Sequence, residues 1–288
     1  MFIYWGIDYY NMNLDIPKLR KNSKKPHHLI TTSDKKTLFL REWKAEGSSE
    51  VAILIFHGIT AYSEPYNEIA LSLTKEGYNV FGLDLRGHGL SDGNRGDMPS
   101  KERLTKDLCE VIDFLKRRFS TLIVFGHSLG VISAFVALKN CGDSLDGLIL
   151  LSAARKVRKG AYNKPSFSKK LKILYNSIFH KDKPVIDYYR EGMRGLDDPL
   201  FNFKYTLRFL RILNPESLSF PEKIEIPVIL GVGDQDELFE VESAKALYEE
   251  IPSETKDFMV LKGAKHAEFL EESFSGLINW LHSHFPLD

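Results

Sequence analysis

A serine with the surroundings of a nucleophile lies in the pentapeptide Gly126-His127-Ser128-Leu129-Gly130. An apolar, β-branched run precedes the pentapeptide and a segment of helical character follows it, which predicts a strand, a sharp turn and a helix with Ser128 at the tip. Such a turn strains the backbone, and a Cβ at either flanking position would collide with the neighbouring strand or helix. Gly126 and Gly130 remove that collision. The pattern therefore predicts nucleophilic chemistry at Ser128.

A serine hydroxyl is a weak nucleophile at neutral pH, so it needs a base within hydrogen-bond reach and a third group that orients the base. With a nucleophile on such a turn, the order along the chain is serine, acid, histidine. His266 follows the last predicted strand and is the predicted base. His57, His88 and His127 belong to motifs that explain them in other ways.

Two aspartates, Asp234 and Asp236, follow the predicted strand 227–233 and compete for the orienting role. Asp236 is favoured because it lies three residues beyond the end of that strand and shortly before the apolar Leu238. One of the two aspartates is expected to cap the helix that begins near Val241.

Two backbone N–H groups are predicted to stabilise the oxyanion of a tetrahedral intermediate, at about 3 to 4 kcal/mol for each donor. Leu129 supplies one at the start of the helix, where the helix dipole assists. Ile59 supplies the other from the loop after the strand 51–56, where Gly58 lets the backbone come close. We expect His57 to orient this loop by hydrogen bonds and to take no part in proton transfer.

Short apolar runs alternate with helical patterns along most of the chain, which predicts an α/β fold with a mostly parallel central sheet flanked by helices. A hairpin at 29–43 precedes this alternation. Residues 152–219 interrupt it with amphipathic segments and no buried strand, so they are predicted to form a helical cap. The predicted strands are 51–56, 78–83, 123–127, 146–151, 226–233 and 256–261, and the predicted helices are 65–76, 100–116, 131–140, 241–250 and 268–285.

The predicted core therefore comprises residues 28–151 and 220–288, with the cap at 152–219. Residues 1–27 are predicted to be an N-terminal extension. It either packs on the core through Phe2, Tyr4 and Trp5 or forms a mobile arm, and the sequence does not choose between these.

Composition excludes several classes of protein. A hydrophobic content of 43% excludes wholesale disorder, and the balance of 39 basic against 39 acidic residues gives no net field for a nucleic-acid partner. Cys109 and Cys141 lack the spacing of a zinc site or a disulfide framework, so both are expected to be small helix-packing residues. No metal or cofactor is predicted. The chain shows neither an export signal nor an apolar run of about 18 residues, which predicts a soluble cytoplasmic protein.

Taken together, these motifs resemble the serine α/β-hydrolase superfamily, and within it the monoacylglycerol lipase and lysophospholipase group. The resemblance covers about residues 29 to 285, although Val131 stands where many relatives have glycine. It implies an ester hydrolase in which Ser128 is the nucleophile, His266 the base and then the acid, and Asp236 the orienting residue. It further implies an oxyanion hole from the Ile59 and Leu129 amides and a cap that builds the acyl pocket. The motifs that carry the resemblance are His57-Gly58, Asp84-Leu-Arg-Gly-His-Gly-Leu-Ser-Asp-Gly, Gly126-His-Ser-Leu-Gly, Gly233-x-x-Asp236 and His266.

We therefore predict a serine carboxylic-ester hydrolase that acts, through an acyl-enzyme, on small-molecule substrates: short- to medium-chain acyl esters or monoacylglycerols. The alternatives are a thioesterase, amidase or acyltransferase with the same triad and, more distantly, a non-catalytic binding module. Epoxide hydrolysis and dehalogenation are disfavoured, because those reactions use an aspartate nucleophile where Ser128 stands. The sequence does not give the oligomeric state.

The cap has a strong local charge bias. Between Arg155 and Lys183 ten residues are basic and only Asp182 is acidic, and aromatic and aliphatic residues are interleaved with them. This pattern predicts peripheral contact with an anionic lipid surface. The alternative is a solvated face of a helix whose apolar side covers the active site.

Overall fold

The computed structural model of the chain describes residues 14–47, 49–160, 166–189, 193–268 and 271–287. The aromatic residues Phe2, Tyr4 and Trp5, on which one interpretation of the N-terminal extension depends, lie outside the described residues. No helix within these ranges is both long enough and apolar enough to cross a lipid bilayer.

An eight-stranded sheet forms the centre of the molecule, in the order β1-β2-β4-β3-β5-β6-β9-β10. β1 and β2 form an antiparallel hairpin, β2 also runs antiparallel to β4, and the other neighbours are parallel. The predicted α/β architecture is therefore confirmed. The strands are β1 His27–Thr31, β2 Thr37–Trp43, β3 Val51–Phe56, β4 Asn79–Leu83, β5 Thr121–His127, β6 Gly147–Leu151, β9 Val228–Gly233 and β10 Lys256–Leu261.

Helices cover both faces of the sheet, and this explains the unbroken apolar runs of the central strands. Alternate residues of β3 enter two different hydrophobic clusters, one with Ala52 and Leu54 and the other with Ile53 and Ile55. Three helices of the core pack in the first cluster, which Phe209 of the segment 152–219 also enters, and two pack in the second. The first set is α3 Lys101–Lys116, α4 Gly130–Cys141 and α7 Val241–Glu250, and the second is α2 Asn67–Lys75 and α8 Ser275–His284.

The segment between β6 and β9 differs in detail from the predicted helical cap. It contains α5 Phe167–Phe179 and α6 Leu207–Ile212, but also a two-stranded sheet of β7 Ile186–Asp187 and β8 Lys204–Tyr205. Tyr205 is fully buried. The prediction missed this small sheet, because two-residue strands are too short to show the alternation of side chains that marks a strand.

The prediction of two unlinked cysteines was also wrong. Cys109 of α3 and Cys141 at the end of α4 form a disulfide, with their Cα atoms 5.8 Å apart. The two residues are 32 positions apart, and only the packing of α3 against α4 brings them together. Their expected role between helices holds, but as a covalent crosslink that ties the helix after Ser128 to its neighbour.

The N-terminal region contributes one short helix that the sequence did not predict, α1 Ile16–Lys21. Asp15 caps it, and Arg20 is buried in an ion pair with Asp92. Near the other terminus, the predicted helix 268–285 begins later than expected, as a 3-10 turn at Glu271–Phe274 followed by α8.

Candidate active site

Ser128 occupies the strained turn that the sequence predicts. Its φ is 54°, in the left-handed region that a residue with a Cβ seldom adopts. A Cβ at Gly126 would lie 2.7 Å from the Gly130 carbonyl oxygen, and one at Gly130 would lie 2.0 Å from the Phe56 carbonyl oxygen. The two glycines are therefore required for β5, β3 and α4 to approach one another around the serine.

The structure brings the predicted nucleophile, base and acid into one hydrogen-bonded row. His266 Nε2 lies 3.0 Å from Ser128 Oγ, and His266 Nδ1 lies 3.0 Å from Asp236 Oδ2. Because a carboxylate only accepts hydrogen bonds, Nδ1 carries the proton and Nε2 is free to accept the serine proton. These side chains follow the carboxyl ends of β5, β9 and β10, which meet at one edge of a parallel sheet.

The structure also separates the two competing aspartates. Asp236 is buried, and its Oδ1 accepts the backbone N–H groups of Leu238 and Phe239 at 2.8 and 2.9 Å. Burial opposes its ionisation, but the hydrogen bond and charge of His266, together with those two N–H groups, outweigh burial and lower the pKa of Asp236. Asp234 is exposed and accepts the Gly263 N–H at 2.8 Å, so it braces the loop that leads to His266.

The two predicted oxyanion donors are available for a ligand. Neither the Ile59 nor the Leu129 N–H donates to an acceptor anywhere in the part of the chain that the structure describes. The preceding Gly58 N–H, in contrast, donates to the Tyr66 hydroxyl at 2.8 Å. The Ile59 N–H is therefore free to donate to a ligand.

A buried chain of hydrogen bonds links two loops: the one after β3 that contains Ile59, which we call the oxyanion loop, and the one after β10 that contains His266. The hydroxyl of Tyr66, which accepts from Gly58, lies 2.7 Å from His127 Nδ1, and His127 Nε2 lies 2.8 Å from the His266 carbonyl oxygen. That carbonyl can only accept, so Nε2 carries the proton and Nδ1 accepts from the tyrosine. Burial lowers the pKa of His127 to about 3, which keeps the ring neutral in this arrangement.

A second set of contacts fixes the other side of the oxyanion loop. The hydroxyl of Tyr205, from the cap, donates to the Ile59 carbonyl oxygen at 2.5 Å, and the Asn202 N–H donates to the Thr60 carbonyl oxygen at 2.9 Å. His57 accepts the Leu85 N–H at Nε2 and therefore donates from Nδ1 to the Gly58 carbonyl oxygen, 2.8 Å away, which is the orienting role expected of it. Burial lowers the pKa of His57 to about 4.

Sequence reasoning missed the contributions of Tyr66 and Tyr205. Tyr66 lies nine positions after His57, in a stretch where only a helix was predicted. Tyr205 lies in the cap, where only amphipathic segments were predicted. No local signal marks either residue, because each acts on a loop that is brought to it by the fold.

Two cavities meet at Ser128 and differ in character. One, of about 240 Å³, is lined mainly by apolar side chains, among them Val131, Leu213 and Leu218. The other, of about 200 Å³, includes the charged residues Arg194, Glu237, Lys265 and Glu268. Ile59, Tyr188 and Leu238 line both cavities, so the nucleophile lies at the junction of an apolar and a polar compartment.

A family model described as serine aminopeptidase, S33, matches residues 47–273, which is most of the chain. The chain belongs to this family. Its members are serine hydrolases of the α/β-hydrolase fold, and the predicted resemblance is thereby confirmed.

Individual relatives have names that specify a reaction. Monoglyceride lipase from Rattus norvegicus is 24% identical over 265 residues, which cover 84% of this chain and 82% of the relative. The crystal structure of Paleococcus ferrophilus monoacylglycerol lipase superposes with a TM-score of 0.67 at 25% identity, covering 86% of this chain and 99% of that one. A soluble variant of Saccharomyces cerevisiae monoglyceride lipase, in complex with a substrate analogue, gives a TM-score of 0.71 at 18% identity over 90% and 94% of the two chains, which shows the shared fold.

This member of the S33 family is accordingly a carboxylic-ester hydrolase of the monoglyceride lipase and esterase type.

Proposed function

We propose that Ser128, His266 and Asp236 are the catalytic triad of an esterase that forms an acyl-enzyme, with Ile59 and Leu129 as its oxyanion hole. The observation that carries the proposal is the pair of 3.0 Å contacts from the two nitrogens of His266, one to Ser128 Oγ and one to Asp236 Oδ2. This geometry suits a base that accepts a proton at Nε2 while its Nδ1–H is held by a carboxylate.

In the first half of the reaction, Ser128 Oγ attacks the ester carbonyl carbon and its proton passes to His266 Nε2. The carbonyl oxygen becomes an oxyanion between the Ile59 and Leu129 N–H groups. The tetrahedral intermediate then collapses, the bond to the alcohol oxygen breaks, and His266 returns the proton to the departing alcohol. In the second half, water attacks the acyl-enzyme by the same route, which releases the acid and restores Ser128.

We infer from the character of the two cavities where the acyl chain and the alcohol of the ester bind. The apolar cavity of about 240 Å³ accepts the acyl chain, because its lining offers almost no hydrogen-bond partners. Its volume is below the roughly 300 to 1,000 Å³ of common ligand pockets, which favours short- to medium-chain acyl groups. The polar cavity accepts the alcohol, since its charged groups can bind hydroxyl groups such as those of glycerol.

The test of the mechanism is Ser128→Ala. It should abolish hydrolysis of p-nitrophenyl butyrate and labelling by a fluorophosphonate probe. Ser133→Ala is the matched control: Ser133 is buried on α4, the helix that follows Ser128, and its hydroxyl has no hydrogen-bond partner in the described part of the chain. The control should keep wild-type activity, and substantial activity in Ser128→Ala would contradict the mechanism.

Chain-length preference tests the assignment of the apolar cavity. Leu218 lines this cavity and is only half-buried, so a larger side chain can be accommodated there without rebuilding the core. Leu218→Trp should shift the preferred p-nitrophenyl ester toward shorter acyl chains while turnover of the acetate ester is kept. An unchanged preference would place the acyl chain elsewhere.

Amide hydrolysis is the second candidate, favoured by the description of the matching family as a serine aminopeptidase. Turnover of monoacylglycerols, lysophospholipids, thioesters and aminoacyl p-nitroanilides by the same preparation decides between the two reactions. We expect the esters to be the better substrates because the acyl cavity is apolar, and none of the described residues in its lining has a carboxylate that could bind a free amino group. A higher kcat/KM for the p-nitroanilides would assign the enzyme to amides.

We also propose that α5 rests on a lipid surface. Its exposed apolar residues recur at spacings of three and four positions and so share one face of the helix. The surrounding sequence is strongly basic, as an anionic membrane requires. The exposed apolar residues of α5 are Phe167, Leu171, Leu174, Tyr175, Ile178 and Phe179.

Sedimentation with anionic vesicles tests this contact. Leu171→Asp should reduce the bound fraction, and its control is Leu71→Asp, which changes a similarly exposed leucine on α2. Equal loss in both variants, or no binding by the wild type at low salt, would contradict the proposal.

A further inference from the structure

A large cavity beside the cap lies outside the candidate active site. It has a volume of about 1080 Å³, and its walls come from Leu14 and Ile16, residues 93–95, the first turns of α5, residues 183–187 and residues 199–204. None of the triad or oxyanion residues lines it. Phe201 lines both this cavity and the polar cavity at Ser128, so the two are neighbours with a shared wall.

The charged residues in its lining are almost all basic. Arg95, Lys169, Lys172, Lys183 and Lys204 line it, against the single carboxylate of Asp187 among the lining residues that the structure describes. We call these five cations the basic groove. The chain as a whole is neutral, so this is a local concentration of positive charge.

One of these cations is neutralised by the carboxylate of the groove itself. Asp187 pairs with Lys169 at 2.7 Å. Lys172 and Lys183 are exposed at the opening, and neither side chain pairs with an acidic residue of the described ranges. The groove therefore keeps an excess of cations that can move toward a ligand.

Arg95 adds a cation that is fixed in place. Its guanidinium donates to the carbonyl oxygens of Gly89 and Leu200 at 2.9 and 2.5 Å, and it forms no ion pair with a carboxylate in the part of the chain that the structure covers. Burial lowers its pKa, and the more distant charges of Asp84 and Asp198 do not offset that effect. A partly buried, unpaired cation is costly, and an anion beside it would offset the cost.

We propose that the basic groove is a phosphate-binding site. A phosphate ester carries a charge of about −1.5 to −2 and three acceptor oxygens, so one group can contact several of these cations at once. A single carboxylate would leave most of the cations unmatched. The groove is open and larger than a phosphate needs, so the group can belong either to a soluble phosphate ester or to the headgroup of a lipid.

Binding is tested with inorganic phosphate and pyrophosphate, titrated calorimetrically at constant ionic strength with chloride as the balancing anion. Wild-type protein should bind pyrophosphate saturably and melt at a higher temperature in its presence. Lys172→Glu/Lys183→Glu should weaken binding by about tenfold or more, because two cations of the groove become carboxylates that repel the anion.

The matched control is Lys44→Glu/Lys245→Glu, which changes the net charge equally at two exposed lysines outside the groove. It should bind pyrophosphate as the wild type does. Equal weakening in the two double variants, or wild-type heats that do not saturate, would overturn the proposal. Melting temperatures without phosphate show whether each variant is folded, and because no hydrolysis is measured, the result is independent of the proposed catalytic function.

Two further arms separate the sources of phosphate. Glycerol 3-phosphate at millimolar concentration represents a soluble ester, and phosphatidylcholine vesicles with and without phosphatidic acid represent a headgroup. Saturable binding of the soluble ester that is lost in Lys172→Glu/Lys183→Glu supports a metabolite site. Binding only to vesicles with phosphatidic acid, lost in the same variant, supports a headgroup site, and failure of both arms removes the phosphate assignment.

Discussion

Tyr66→Phe isolates the contribution of the hydrogen-bond chain behind the oxyanion hole. The hydroxyl is the acceptor for the Gly58 N–H at 2.8 Å and lies 2.7 Å from His127 Nδ1. All three groups are buried. Its removal takes one hydrogen-bond partner from each of these two groups, and the ring itself is retained, so packing is unchanged.

Two effects are expected, with different magnitudes. An unsatisfied buried polar group costs about 1 to 3 kcal/mol, so the free energy of unfolding should fall by about 2 to 4 kcal/mol for the pair after local relaxation. Loss of a whole oxyanion donor lowers kcat by about 10² to 10³, but here the Ile59 N–H is loosened and not removed. We therefore expect kcat to fall about tenfold to a hundredfold, or about 1.4 to 2.7 kcal/mol, with KM nearly unchanged.

The assay is steady-state hydrolysis of p-nitrophenyl butyrate at 25 °C, combined with urea denaturation of the same samples. Tyr78→Phe is the matched control, since Tyr78 is another buried tyrosine whose hydroxyl donates to one carbonyl oxygen, that of Phe285, at 3.1 Å. It should lose stability and keep kcat. Wild-type kcat in Tyr66→Phe, or equal losses of kcat in both variants, would refute the reasoning.

Three further predictions concern the acid, pH and the crosslink. Asp236→Asn should lower kcat by about 10⁴ by disturbing the tautomer of the base, whereas Asp234→Asn should be mild, and the reverse result would exchange their roles. His57 has a folded-state pKa of about 4, below its unfolded value of about 6.5, so its contribution to stability is present above pH 6.5 and is lost as pH falls toward 4. In urea denaturation measured across that range, His57→Gln should reduce the slope of the free energy of unfolding against pH by about 1.4 kcal/mol per pH unit. An unchanged slope would count against a neutral buried ring. Cys109→Ser/Cys141→Ser should lose about 3 to 4 kcal/mol of stability for its 32-residue loop, and a variant as stable as the oxidised wild type would contradict this.

Local sequence patterns were sufficient to predict the central strands and the members of the candidate triad. The central strands read as apolar runs because both faces of the sheet are buried. The order serine, acid, histidine that accompanies a nucleophile on such a turn then indicated where the acid and the base should lie. The assignment of Asp236 over Asp234 depended only on distance from the end of a strand. In the structure, Asp236 lies beside His266 and Asp234 does not.

Contacts between segments that are distant along the chain could not be predicted from the sequence. The partner of Cys109 is fixed by helix packing, and the contact of Tyr205 with Ile59 joins residues 146 positions apart. The strands β7 and β8 contain two residues each, so they exist only through their pairing. Each of these features becomes visible only once the chain is folded.

The attachment of the cap bears on how such enzymes can be recombined. Asn202 and Tyr205 hold the carbonyl groups of the oxyanion loop, and Thr206 and Arg208 bind the core residue Asp97. A chimera that replaced the whole insertion would therefore discard part of the scaffold that aims the Ile59 N–H. If only α5 and its flanking residues are exchanged, these contacts stay in place. A different entrance to the active site can then be built into this hydrolase without redesign of the proposed oxyanion hole.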